Sequence, residues 1–120
     1  MSKTLPEFRF SSNWNNLLCC KIFSTIRLQE PHFKEGDTVN ILLRHKGIWK
    51  CLGKAIVLHI FPDFKILDNL GLLPCNTGYD VEMSLKLYTQ FNSNIPITND
   101  TKAWYFILTW EINPPIKEDF

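Results

Sequence analysis

The feature that most constrains this chain is a run of thirteen residues, 49–61, that is rich in apolar and β-branched side chains. Strands in globular proteins usually span about 3–10 residues, so an extended run of this length is unusual. Gly53 lies inside the run, and a glycine within a strand marks a bulge or a sharp bend. A long strand that bends suits a small closed barrel better than a flat sheet. The run therefore predicts a curled, mostly antiparallel sheet.

Shorter segments on either side predict about four further strands and two to three short helices. β-branched and aromatic residues, which are typical of strands, dominate the segments 8–10, 22–28, 38–44 and 104–110. Apolar residues at helical spacing favour helices over 63–73 and 81–91. Ser11 and Ser12 favour a capped helix over 13–18. Because hairpins rather than regular βαβ crossovers join the strands, the order indicates an α+β protein built round a small β-barrel.

Length and charge limit the classes of protein to which the chain can belong. Its 120 residues predict a single domain, 1–120, with a core over about 8–111 and a tail over 112–120. The 13 Lys and Arg nearly cancel the 12 Asp and Glu, which argues against a disordered chain and against a protein that coats duplexes. No apolar run approaches the ~18 residues of a membrane span, and the first residues lack a secretory signal. We therefore expect a cytoplasmic protein that makes no membrane contact.

The cysteines and histidines show no metal-binding pattern. No two of these residues have the spacing that lets thiolates and imidazoles converge on zinc; the residues concerned are Cys19, Cys20, Cys51, Cys75, His32, His45 and His59. In a cytoplasmic chain, free thiols usually act as small buried apolar groups. We expect no metal, no cofactor and no disulfide.

Two cations lie near the two ends of the apolar segment 22–28. These are Lys21 and Arg27. Strand alternation places Phe23, Thr25 and Arg27 on one face. A face that carries a hydroxyl and a guanidinium between apolar residues is either a half-solvated strand surface or the floor of a pocket.

Tryptophans add candidates for stacking on a nucleobase. Trp14 and Trp49 lie outside the most apolar segments, and an exposed indole contributes ~1–3 kcal/mol per stacked base. Trp104 and Trp110 belong to the apolar segment 104–110 and are expected in the core.

Residues 21–27 (KIFSTIR) and 32–39 (HFKEGDTV) resemble the signature of the ASCH domain family. The family pattern has a lysine, a Thr-Ile-Arg strand end and an aromatic residue shortly before Gly-Asp. The resemblance extends over about residues 8–111. It implies a PUA-like β-barrel of about five strands, and it implies binding of RNA or of a modified nucleotide or nucleoside in a cleft between barrel and helices.

Some small bacterial members of that family are amidohydrolases that remove the acetyl group from N4-acetylcytidine with a lysine, a threonine and a glutamate. The resemblance maps this catalytic set onto Lys21, Thr25 and Glu82. The family lysine lies three residues before the threonine, whereas Lys21 lies four before Thr25, and a strand bulge would absorb the difference. The ligand-binding candidates are Arg27, Ser24 and Trp14.

In such a site, each group needs a partner to act. A threonine hydroxyl becomes a nucleophile only when a base lies within hydrogen-bond reach. Lys21 serves as that base if its pKa is lowered, and Arg27 is the nearby cation that would lower it. Glu82 would hold the lysine or exchange protons with the leaving amine. The alternative for Glu82 is an acidic residue in the first turn of a helix, which is favourable there and common.

Three functions remain open at this point. The first is a module that binds RNA or a small nucleoside or nucleotide, and near-zero net charge suits a small ligand better than a long duplex. The second is an amidohydrolase that acts on an acylated nucleoside. The third is a non-catalytic protein-interaction domain. The sequence does not determine the oligomeric state.

Overall fold

The computed structural model describes residues 5–112 and Pro114, and they form an α+β fold with a five-stranded, curled sheet that resembles half a barrel. The strands are β1 (Glu7–Phe10), β2 (Ile22–Arg27), β3 (Thr38–His45), β4 (Ile48–Phe61) and β5 (Trp104–Trp110). They lie in the order β1–β3–β4–β5–β2, so β1 and β2 are the edge strands. Three of the four pairings are antiparallel, and β1 runs parallel to β3. The predicted α+β class and barrel-like sheet are confirmed.

The long strand β4 bends where the sequence predicts. Opposite β4, Ile41 pairs with Gly53 and Leu42 pairs with Cys51, so one residue of β4 has no partner in β3. This is a β-bulge, which bends a strand and increases its twist. Gly53 has a φ of 151°, a backbone conformation that side chains other than hydrogen rarely allow. A second register shift follows between Val57 and His59, where β4 pairs with β5.

The concave side of the sheet holds the larger core. Inward residues of all five strands pack there with one residue from outside the sheet; the members are Phe8, Phe10, Leu18, Phe23, Val39, Ile41, Leu43, Ala55, Val57, Phe106, Leu108 and Trp110. The Trp110 indole nitrogen donates to the Leu18 carbonyl at 3.1 Å, so its polar atom is satisfied inside the core. Trp104 packs against the same cluster. The expectation of a core position is confirmed for Trp110, whereas Trp104 is only partly buried at the margin of the core.

Two helices and several 3₁₀ turns cover one end of the sheet. The helices are α1 (Leu73–Thr77) and α2 (Val81–Phe91). Asp80 caps α2, because its side chain accepts a hydrogen bond from the Met83 amide at 2.8 Å. A second, smaller core joins these helices to the sheet through Ile26, Ile66, Leu73, Tyr88 and Ala103.

The predicted helix over 63–73 is wrong. This segment forms two 3₁₀ turns, Ile66–Asp68 and Leu70–Leu72, and α1 begins only at Leu73. Pro74 does not break a helix here; it lies in the first turn of α1, where a missing amide hydrogen costs nothing.

The predicted helix over 13–18 is a 3₁₀ segment, Trp14–Cys19, interrupted by left-handed backbone. Asn15 and Asn16 have φ values of 52° and 56°. Asparagine tolerates this conformation better than most residues. Asn13 rather than a serine supports the segment, because its side-chain oxygen accepts from the Leu18 amide at 2.9 Å.

The thiols are less buried than the sequence predicts. Cys19 is half-buried, whereas Cys20, Cys51 and Cys75 are exposed, so the expectation of buried thiols is wrong for these three. Within the described residues, no three His, Cys, Asp or Glu side chains come together in a way that would hold a metal ion. No helix in the same part of the chain is long and apolar enough to cross a membrane. Most of the predicted tail, 112–120, lies outside the described residues.

Candidate functional site

A cavity of about 300 Å³ lies where the two edge strands approach α2. Strand residues, the 3₁₀ segment and both helices contribute to its wall, including Arg9, Thr25, Arg27, Trp14, Tyr88 and Phe91. The predicted strand face that carries Thr25 and Arg27 is therefore a pocket wall and not a solvated strand surface.

Arg27 spans the gap between β2 and β1. Its Nε donates to Thr25 Oγ1 at 3.2 Å, and Nη1 donates to the Arg9 carbonyl at 2.6 Å. The guanidinium carbon lies 4.6 Å from the centre of the Phe8 ring and 4.5 Å from that of Phe10. These contacts hold the cation by cation–π attraction and by hydrogen bonds to neutral oxygens. Arg27 thus links the two open edges of the sheet from inside the cavity.

The surroundings of Arg27 change its own pKa and that of a nearby phenol. Burial lowers the pKa of Arg27 to about 10, with a smaller opposing effect from Tyr88, so the group stays cationic at neutral pH. Burial raises the pKa of Tyr88 to about 12, although the positive charge of Arg27 favours the phenolate. Tyr88 is therefore a neutral hydrogen-bond donor at physiological pH.

The described wall of the cavity carries basic side chains and no acidic ones. No Asp or Glu is among the described residues that line it, and its charged members are Arg9 and Arg27. Arg9 pairs with Glu7 at 3.4 Å on the exposed side, while no carboxylate of the described chain pairs with Arg27. The cavity is therefore suited to a ligand that carries negative charge or carbonyl oxygens.

Aromatic side chains form the rim of the cavity. The Trp14 ring makes edge contacts with Tyr79 and Phe91, with ring centres 6.2 and 6.3 Å apart. Across the opening, Trp49 lies under the Arg9 guanidinium at 5.5 Å. Both tryptophans that the sequence suggested for stacking therefore line the same cavity.

The predicted ligand-binding residues lie close together. Arg27 and Trp14 line the cavity directly. Ser24 is on the other face of β2, where its hydroxyl donates to Asn76 Oδ1 at 2.9 Å. Because Asn76 itself lines the cavity, Ser24 positions a wall residue.

Of the predicted catalytic set, Thr25 alone lines this cavity. The Lys21 ammonium donates to the Trp110 carbonyl at 2.7 Å and to the Ile112 carbonyl. The Glu82 side chain is 83% exposed, and its Oε1 lies 3.8 Å from the Lys86 ammonium. The bulge that would absorb the extra residue between lysine and threonine is absent from β2, because β2 pairs with β5 in continuous register.

Sequence reasoning missed most residues of the wall, among them Arg9, Asn76, Tyr88 and Phe91. Tyr88 and Phe91 fall on the apolar face that helical spacing predicts over 81–91. This spacing explains why the two rings pack inward, but it gives no role to the Tyr88 hydroxyl. A tyrosine in an otherwise apolar helical stripe was the available signal, since its hydroxyl needs a polar partner when buried.

No protein-family model matches the chain, and neither a curated protein nor a solved structure matches it. The resemblance of residues 21–27 and 32–39 to ASCH domains therefore stays a prediction.

Proposed function

We propose that this protein is an ASCH-like binding domain that takes RNA, or a modified nucleotide or nucleoside, into the cavity between its sheet and α2. The observation that carries the proposal is the Arg27 guanidinium, which is set in an aromatic-rimmed cavity without a carboxylate partner among the described residues. Enclosed cavities with a few convergent polar groups are the usual form of small-ligand sites.

The wall offers the contacts that a nucleobase uses. Trp14 and Trp49 present rings for stacking, and the Thr25 hydroxyl is placed to hydrogen-bond to a base edge. The Asn76 amide already binds the Ser24 hydroxyl and the Leu72 carbonyl. A volume of about 300 Å³ is at the lower end of small-molecule sites, which span ~300–1,000 Å³. This size favours a single nucleotide unit over a longer strand inside the cavity.

Binding is favoured over hydrolysis because the groups needed for amide hydrolysis are dispersed. A base must reach the threonine hydroxyl for nucleophilic attack. Arg27 is the group that donates to Thr25 Oγ1, while Lys21 is bound to backbone carbonyls and Glu82 is exposed.

Titration calorimetry with nucleosides, nucleotides and short single-stranded RNA tests the proposal. We expect saturable binding that Thr25→Val weakens by about three- to tenfold, because one hydrogen bond is lost. Thr109→Val is the matched control: it removes a strand threonine from β5, outside the cavity, and should leave affinity unchanged. Absence of binding to every member of the panel, or an equal effect of both variants, would overturn the proposal.

Incubation with N4-acetylcytidine separates binding from turnover. We expect the nucleoside to be recovered intact. Formation of cytidine that is lost in Lys21→Ala and in Thr25→Ala would favour the amidohydrolase instead.

A further inference from the structure

On the basis of this proposed function, we further propose that the ligand carries a phosphate, and that Arg27 Nη2 and the Tyr88 hydroxyl bind it. The ligand class is therefore a nucleoside monophosphate group, free or at the end of an RNA, and not a neutral nucleoside.

The first support is unused hydrogen-bonding capacity. Arg27 uses Nε and Nη1 on neutral oxygens of Thr25 and Arg9, and Nη2 has no hydrogen-bond partner in the described chain. The Tyr88 hydroxyl likewise makes no hydrogen bond to a residue in 5–112, and because no fully buried polar side-chain atom in this range lacks a partner, the hydroxyl is accessible to solvent at the cavity. Both residues line the cavity. A guanidinium with free donors matches the planar, two-point geometry of phosphate oxygens.

The second support is the charge balance. A cation removed from water is unfavourable unless an anion or a set of hydrogen bonds compensates it. Arg27 is half-buried, and burial lowers its pKa to about 10, so this cost applies to it in part. Since the lining residues in the described part of the chain include no carboxylate, a bound phosphate would supply the missing charge.

The third support is the state of Tyr88. Its residue is only 4% exposed, and burial raises its pKa to about 12. A phenol already keeps its proton at neutral pH with its ordinary pKa near 10, so this hydroxyl is able to donate to an anion. A phenolate at this place would repel one.

The test compares each nucleoside with its 5′-monophosphate by titration calorimetry, in the wild type and in Tyr88→Phe. We expect the wild type to prefer the monophosphate by about tenfold or more, because charge-assisted hydrogen bonds are the stronger class. Tyr88→Phe keeps the ring in the core and should reduce this preference, the ratio of the monophosphate affinity to the nucleoside affinity, several-fold. Tyr105→Phe is the matched control, because Tyr105 stacks on Phe64 outside the cavity wall.

A short RNA with and without a 5′-phosphate tests whether the bound phosphate belongs to an RNA end or to a free nucleoside monophosphate. Preference for the phosphorylated end, lost in Tyr88→Phe, assigns the site to RNA ends. Binding of free monophosphate alone assigns it to nucleotides. Either result supports the shared chemistry.

The failures of the two proposals differ. Equal affinity for nucleoside and monophosphate would overturn the phosphate site and leave the binding function standing. A monophosphate preference that Tyr88→Phe does not change would also overturn it. If no nucleoside, nucleotide or RNA binds, both proposals are overturned.

Discussion

The two ends of β2 hold two cations in different ways. At the start, the Lys21 ammonium binds two backbone carbonyls at the end of β5, those of Trp110 and Ile112. At the far end, the Arg27 guanidinium binds one carbonyl and one hydroxyl and keeps a nitrogen open in a cavity. The first cation joins the start of β2 to the end of β5, and the second links two strand edges while it faces the cavity.

The two cations differ in how many of their donors the folded chain already uses. An ammonium has three donors, and backbone oxygens of the strand next to it engage Lys21. A guanidinium has five donors in a fixed fork, and two neutral partners leave several unused. Under the proposed function, the hydrogen-bonding capacity left after folding, rather than the charge itself, would determine which end of β2 binds the ligand.

The largest effect is expected for Arg27→Met. Loss of the guanidinium removes the link between β1 and β2, and we expect a drop of about 1–3 kcal/mol in the free energy of unfolding. Nucleotide binding should be lost in the same variant. Urea denaturation and calorimetry measure the two effects. Retained nucleotide binding by a folded Arg27→Met protein would contradict the distinction between Lys21 and Arg27.

Tyr88→Phe is expected to change the pH dependence of stability. Because the pKa of Tyr88 is raised to about 12 in the folded protein, its stabilising contribution is complete below the unfolded value near 10 and declines as pH rises from there towards 12. The stability of the wild type relative to Tyr88→Phe should therefore fall by about 1.4 kcal/mol between pH 8 and pH 11. Because Tyr88 also raises the pKa of Arg27, the difference between the two proteins reports Tyr88 together with its coupling to Arg27. Urea denaturation at both pH values checks this, and a constant difference would contradict it.

Lys21→Met tests most directly whether the two ends of β2 have different roles. Its two carbonyl partners lie partly in solvent, so we expect a loss of about 1 kcal/mol in stability. Nucleotide affinity should not change, because Lys21 does not line the cavity. Thermal unfolding and calorimetry test the pair of outcomes. Weakened binding in a stable Lys21→Met protein would place both ends of β2 in one site.

The smallest effect is expected for Glu82→Ala. Its exposed pairing with Lys86 is worth at most about 0.5 kcal/mol. Asp80→Ala, two residues earlier, is the matched comparison and should cost about 1 kcal/mol because it removes the cap of α2. Thermal unfolding ranks the two variants. A larger loss in Glu82→Ala, or an effect on ligand affinity, would show a role at the site.

Prediction from sequence succeeded where structure depends on near neighbours. The bend at Gly53 follows from one glycine in a long strand, and the shared face of Thr25 and Arg27 follows from strand alternation. Prediction failed over 63–73, because apolar spacing alone does not reveal that 3₁₀ turns precede a helix beginning near Pro74. The sequence also did not predict the parallel pairing of β1 with β3, because no hairpin joins these two strands.

The residues of the candidate site show the same contrast between local patterns and long-range packing. Local patterns identified Trp14, Thr25 and Arg27, which the cavity brings together. They did not identify Tyr88, whose helix reaches Arg27 only after the chain has folded.

The sequence by itself determined the strands, the bend of β4 and the two faces of β2, because each depends on conformational preferences and alternation within a few residues. The tertiary structure decided which cation keeps open donors. That outcome depends on oxygens and rings from distant segments, namely the carbonyls after β5 for Lys21, and β1 and α2 for Arg27. Such partners are set by long-range packing, which no local pattern encodes.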